Sequence, residues 1–214
     1  MAITVSQVYN SFARLKKDIS DVPLATFYEW CDWTNKMLYR KMTATDGERY
    51  TTQQTYTSPS TGSYALPVDF STIDGFNCGI YRVDGNGDMS GYTLFPAQPG
   101  SSVAGWYIRG SLIYFTGLSG ESSYVMRYLP APVAIDGLTD YFTQDTTQNG
   151  KATVDDEFLQ HLVGAIDVLY DQWDEDTGAE IYADQRFARL LDDLVLNMKR
   201  EPAVYGLPDS SLMY

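Results

Sequence analysis

Hydrophobic positions along this 214-residue chain fall into three regimes: helical spacing, then alternation, then helical spacing again. From Ser6 to Ile19, the residues Val8, Phe12, Leu15 and Ile19 recur at steps of four, three and four. That spacing marks one face of a helix. Asp21-Val22-Pro23 resets the chain, and proline suits a first helical turn. A second helix is predicted from Pro23 to about Met42. Its stripe is Leu24, Phe27, Cys31, Thr34 and Leu38, flanked by Trp30 and Met37. Thr45-Asp46-Gly47 stops it.

From Glu48 the period shortens to two. Tyr50, Thr52, Gln54 and Tyr56 alternate with Thr51, Gln53 and Thr55, the pattern of a strand. Ser58-Pro59-Ser60-Thr61-Gly62-Ser63 reads as a turn or loop. Tyr64 to Phe70 is a short extended piece, and Pro67 keeps it out of a central strand position. Strands are predicted at Phe76 to Val83 and Tyr92 to Phe95, joined by Asp84-Gly85-Asn86-Gly87-Asp88. Arg109-Gly110-Ser111 joins Trp106-Tyr107-Ile108 to Leu112-Ile113-Tyr114-Phe115 as a hairpin. Gly117 and Gly120 are read as serving a turn, and Tyr124 to Leu129 gives a last strand before Pro130-Ala131-Pro132.

A polar connection over 130–152 leads back to helical spacing. Thr153 with Asp156 resembles a capping box, with aspartate in place of glutamate. Asp155, Asp156 and Glu157 suit the positive end of a helix dipole. Phe158, Leu162, Ala165, Ile166, Leu169 and Trp173 form a long stripe. After Thr177-Gly178 a final helix is predicted from about Ala179 to Lys199, with Ala183, Phe187, Leu190, Leu194 and Met198 on one face. Pro202 ends it. Neither helix pair makes a sizeable core alone, so both are expected to meet.

The expected fold class is therefore α+β: a helical bundle built from the N- and C-terminal helices, with a β-rich insertion. Residues 1–47 and 151–201 make the bundle, 48–150 the insertion, and 202–214 an extended C-terminal tail. That tail carries Tyr205, Leu207, Leu212, Met213 and Tyr214. It is too apolar for a free terminus, and Pro202, Gly206 and Pro208 bar a helix. These five residues are candidate contacts to another subunit. In the insertion, Tyr64, Phe70, Trp106, Tyr107 and Tyr114 are candidate interface residues, since interfaces are rich in Tyr and Trp.

Composition narrows the function classes. The 44% hydrophobic fraction is slightly below the usual range, but 17 Tyr, 9 Phe and 4 Trp speak for a folded core. No apolar run approaches a membrane span, and the N-terminus lacks the basic and apolar regions of a secretory leader. The net charge of −13 argues against gripping nucleic acid, which needs clustered Lys and Arg. Cys31 and Cys78 fall on different elements, without metal spacing, and are expected as buried thiols in a reducing compartment.

Candidate chemistry is sparse. His161 is the one histidine. It has no second ligand for zinc and no Gly-x-Ser-x-Gly nucleophile to serve, so an ordinary, partly buried histidine is expected. Asp84 to Asp88 fails the calcium-loop pattern, because Met89 and Phe95 occupy the positions that need Gly and Glu. A turn is the better reading there. Asp171, Asp174, Glu175 and Asp176 are expected as a solvated helix end rather than an acid–base pair. No phosphate-cradling glycine motif occurs. No enzyme activity, cofactor or metal is expected.

Three segments in order carry a resemblance: Tyr64-Ala65-Leu66-Pro67-Val68-Asp69-Phe70, the hairpin Trp106-Tyr107-Ile108-Arg109-Gly110 with Ile113-Tyr114-Phe115, and Val125-Met126-Arg127-Tyr128-Leu129-Pro130. Set between helices at both ends, over residues 5 to 200, they resemble the head-to-tail connector (neck adaptor) proteins of tailed bacteriophages. The resemblance implies a ring, usually dodecameric, docked beneath the portal protein. Such a ring extends the DNA channel and offers a platform for tail, tail-tube or fibre proteins. The implied place is the virion neck, assembled in the bacterial host cytoplasm, with DNA passing unheld and no membrane partner. An acidic chain suits that passage. Two other classes remain. Another tail subunit would show more strand, and a carbohydrate-binding module would show aromatics along one sheet face.

Overall fold

The computed structural model describes residues 2–16, 19–45, 50–74, 78–84, 89–143, 154–174 and 180–199. Among these, four helices flank eight strands, so the chain is α+β with helices contributed by both ends. It divides into two compact units. One comprises Met1–Lys41, Ala134–Phe142 and Val154 onward; the other comprises Met42–Val133 and Thr143–Thr153. The stretch 134–142 thus belongs with the helices rather than with the strands.

In the helical unit, α1 (Val5–Leu15) starts at a full capping box. The Thr4 hydroxyl accepts from the Gln7 amide at 3.2 Å, and the Gln7 carboxamide accepts from the Thr4 amide at 2.7 Å. The preceding residues are clasped by backbone bonds. Ile3 donates to Val154 and accepts from Phe142, and Val5 and Ser6 donate to Asp140 and Leu138. Ile3, Phe142 and Val154 are fully buried there.

The first helix ends sooner than its spacing predicts. Lys16 turns extended (φ −109°, ψ 115°), so Leu15 is left 61% exposed and Ile19 reaches the core from a 3-10 turn. The helix α2 (Leu24–Thr45) buries Phe27, Cys31, Thr34 and Leu38, whereas Leu24 at its start is exposed. A 3-10 turn at Asp156–Phe158, with Asp155 as its N-cap, leads into α3 (Leu159–Asp174). Thr153, the expected cap, lies outside the described residues. Along α3, Leu162, Ala165, Ile166 and Leu169 are buried and Trp173 is exposed. On α4 (Glu180–Lys199) the stripe is rotated from the expected one. Leu191 and Val195 join Phe187 and Leu194 in the core, and Leu190 is only half-buried.

Aromatic rings link these helices. Phe12 lies 6.2 Å from Phe27 and 5.5 Å from Tyr170, and Trp33 stacks on Phe187 at 4.6 Å. Contacts of this kind add to the burial of apolar area that joins the N- and C-terminal helices into one core.

The β unit is a pair of antiparallel sheets. One runs β1 (Thr52–Tyr56), β8 (Tyr124–Pro130), β4 (Gly79–Val83), β5 (Met89–Leu94), with β3 (Phe70–Thr72) beside β8. The other runs β2 (Ser60–Ala65), β7 (Leu112–Ser119), β6 (Gly105–Arg109). Their facing side chains share one core of Tyr56, Ile80, Leu94, Ile113, Phe115, Tyr124, Met126 and Tyr128. Burial pushes the Tyr56 phenol up to about 12.

Two sequence expectations change here. Ser60 to Ser63 is part of strand β2, not of a loop. Ser58, at φ 42°, with Pro59 makes the turn, and the small polar residues then pair with β7. Gly117 is not in a turn but inside β7. There the pairing with β2 shifts register, and Gly117 at φ 62° forms a bulge. The β6–β7 hairpin is as expected, with Gly110 at φ 62° as the first of two turn residues.

Candidate functional site

The Leu-Pro-x-Asp-Phe segment ties together the places where the chain passes through the β unit. Leu66 donates to Ser111 at 3.0 Å, and Phe70 donates to the Pro67 carbonyl at 3.1 Å, which closes a turn. Proline presets that turn, and Val68 at its tip is fully exposed. The Asp69 carboxylate accepts from the Tyr128 hydroxyl at 2.8 Å, and its backbone carbonyl accepts from Ala131 at 2.6 Å. Phe70 pairs with Pro130, and its ring lies 5.6 Å from Tyr128. The segment is therefore a clasp between the β2 exit and the end of β8.

Of the five aromatic candidates in the insertion, three pack inward. Tyr64, Phe70 and Trp106 lie against the core of the β unit. Tyr64 sits 5.5 Å from Phe115, and the Trp106 indole donates to Leu94 at 2.8 Å. Tyr107 and Tyr114 are cross-strand partners on the opposite sheet face and stack at 4.8 Å with parallel rings. Each covers one ring face of the other. The tail candidates Tyr205, Leu207, Leu212, Met213 and Tyr214 lie outside the described residues.

The residues considered for chemistry are scattered. His161 is half-buried on α3, its ring 6.1 Å from Phe158 and its Nδ1 buried without a hydrogen-bond partner. Cys31 is buried, and burial pushes its thiol well up; Cys78 is half-buried and shifted the same way, again chiefly by burial. Residues 85–88 of the aspartate-glycine run lie outside the described residues. Among the described residues no group of three or more His, Cys, Asp or Glu side chains gathers as a metal site. A groove of about 540 Å³ opens beside Arg82, Asp84, Tyr92, Glu121, Ser122 and Ser123.

One cluster was not expected. Asp171, read as solvated, is paired. Its carboxylate accepts from Lys16 at 2.8 Å, and Lys16 also forms an ion pair with Asp167 at 3.0 Å. Arg186 approaches both carboxylates at 3.7 and 3.8 Å, and the Lys16 ammonium lies 4.9 Å over the Tyr170 ring. The cue was present: Asp167 and Asp171 are one turn apart on α3. What the sequence did not reveal was that α1 ends beside them.

The hydrogen bond to Asp171 is the main cause that raises the Lys16 ammonium above its ordinary value of 10.5, against the opposing effect of burial. A raised folded value means that the folded chain holds the proton more tightly. Its stabilisation is complete below about 10.5 and is lost as pH rises through the folded value. Lys16→Met is expected to destabilise by about 1 kcal/mol at neutral pH, since the cluster is partly exposed. The difference in Tm between the two proteins should hold steady up to about pH 10 and narrow over the range above about pH 10.5. A constant difference across that range would remove the ion pair from the account.

No helix among the described residues is long and apolar enough to cross a membrane. No protein-family model matches this chain, and no curated protein matches it.

Proposed function

We propose that this chain is a virion structural protein: a ring-forming head-to-tail connector, or adaptor, of a tailed bacteriophage. The observation that carries the reading is the order of parts. Helices from both chain ends make one unit, a β unit is inserted between them, and a Leu-Pro-x-Asp-Phe clasp stands between the β2 exit and the end of β8. That order is the one the connector resemblance rests on. In this role copies form a ring, twelve-fold by the resemblance, docked under the portal protein in the virion neck. The ring extends the DNA channel and serves tail assembly. The net charge of −13 lets DNA slide past without being held. In this reading the role is a structural one, with no cofactor and no catalysis.

The test is electron microscopy of the purified full chain, alone and mixed with the portal protein of the same bacteriophage. Closed rings with a central channel that stack on the portal are expected. Monomers that ignore the portal would overturn the reading.

The apolar tail supplies a further expectation. An extended segment gains little by folding onto its own domain but can anchor in a groove of another protein. Truncation after Glu201 should leave folding and helical circular dichroism unchanged while abolishing co-sedimentation with the portal. Full assembly by the truncated chain would leave the tail with no part in it.

A further inference from the structure

The charged residues avoid two long stretches of the sequence, 50–68 and 89–108. Each is longer than any other uncharged run in a chain of net charge −13. In the fold these stretches become the edges of the β unit. The strand orders are β1-β8-β4-β5 and β2-β7-β6. The first stretch holds β1 and β2, one edge strand from each sheet. The second holds β5 and all of β6 but its last residue, Arg109, the other two edge strands.

The two sides of the sandwich are unlike. On the first, β1 and β2 follow each other through a short turn, and the Tyr56 hydroxyl donates to Ala65. Among the described residues β1 pairs only with β8, and β2 only with β7. Their outward edges are built from Thr, Gln and Ser, with no lysine and no proline inside either strand. Exposed edges are ordinarily blunted by such charges, because open strand edges invite another chain. On the second side, β5 continues into residues 95–97, which run along β6. Ala97 donates to Trp106 at 2.7 Å, and Trp106 donates to Phe95 at 3.2 Å. One segment thus rims both sheets, and it carries the exposed apolar side chains Met89, Tyr92 and Phe95; Val103, in the loop that leads into β6, is exposed as well. Phe95 is 72% and Val103 70% exposed.

We infer that copies of this chain associate side to side, the apolar rim of one copy (Met89, Tyr92, Phe95, Val103) lying against the β1–β2 edges of the next. Charge selects the occupant. Two copies of a strongly acidic chain repel each other, so they meet where charge is sparse; neither run, 50–68 or 89–108, carries a charged residue, and the charges nearest the rim, Arg82, Asp84 and Glu121, line the groove beside Tyr92. Geometry agrees. The strands β1, β8, β4 and β5 alternate in direction, so a neighbour's β5 laid beside β1 runs antiparallel to it and continues the sheet. The rim bulges between the pairings of Met89 and Thr93, so side chains carry more of the contact than a full strand ladder would. Because the sides differ, the contact is head-to-tail, and such contacts propagate until they close into a ring or grow as a filament. The inference rests on the connector reading for closure into a ring.

The test uses two double variants of the full chain, all at exposed positions. One is Phe95→Asp with Val103→Asp, and the other is Gln54→Glu with Thr55→Glu, so that the two broken sides also repel each other in a mixture. Each should keep wild-type circular dichroism. Native mass spectrometry should show the wild type as an oligomer and each variant as a monomer. An equimolar mixture of the variants should stop at a dimer, since each brings one intact side. A wild type that stays monomeric at its highest soluble concentration overturns the inference, as does a mixture that stays monomeric. If both variants still form rings, the lateral surface is wrong and the ring reading stands. If the wild type assembles through this surface but only into open chains that ignore the portal, the surface is right and the connector reading falls.

Discussion

Phe12→Ala is expected to lower the stability of the helical unit by about 3–5 kcal/mol. The ring is fully buried and lies between Phe27 of α2 and Tyr170 of α3, so its removal opens a cavity at the point where helices from both chain ends meet. Leu162→Ala, also fully buried on α3, is expected to cost about 2–5 kcal/mol for the same reason. Leu15→Ala, on the same helix as Phe12 but exposed, should stay within about 0.5 kcal/mol. Urea unfolding followed by helical circular dichroism gives all three values. A Phe12 loss under about 1 kcal/mol would show that the two chain ends do not share a core.

The helices were legible because a period of 3.6 leaves long stripes of large residues. Val8, Phe12, Phe27, Leu38, Leu162 and Ile166 all fall where that period places them. The ends of stripes were less legible. Leu15, Leu24 and Trp173 satisfy the spacing, yet the helices finish or begin there, and a helix end has fewer neighbours to cover a side chain. On α4, both Leu190 and Leu191 fit an apolar face within one residue, so spacing alone could not fix the rotation. The start of α1 was missed because Thr4 and Gln7 form a capping box with Gln in place of the commoner Glu.

In the β region, strands rich in Val, Ile and aromatics were legible, and β2 was not. Ser60-Thr61-Gly62-Ser63 has the composition of a loop, and only its pairing with β7 makes it a strand. The inward packing of Tyr64, Phe70 and Trp106 was hidden for a related reason. A partly buried aromatic serves a core and an interface equally well by residue type, and the facing sheet decides. The uncharged edges were visible in the sequence as runs, but their meaning needs the strand order.

Gly117→Ala is expected to destabilise the β unit by about 2–4 kcal/mol, more than alanine at any turn glycine of comparable backbone angle. Two effects add. At φ 62° an L-residue is strained by about 1–2 kcal/mol. A β-carbon at this position would also lie 2.5 Å from the Val103 carbonyl carbon and 2.6 Å from both the Ala104 nitrogen and the Ser102 oxygen. All three atoms are backbone, so no side chain can swing aside. The segment 102–104 must lift off β7, and the bond from the Thr116 hydroxyl to the Val103 carbonyl, now 2.8 Å, is strained or lost with it. Gly110→Ala separates the two effects, because Gly110 shares the φ of 62° but faces open space. It should show the backbone strain alone. Chemical denaturation of the two variants, followed by tyrosine and tryptophan fluorescence, measures the difference. Equal losses would mean that the 102–104 segment yields without resistance and that the bulge at Gly117 exists for its backbone angle alone.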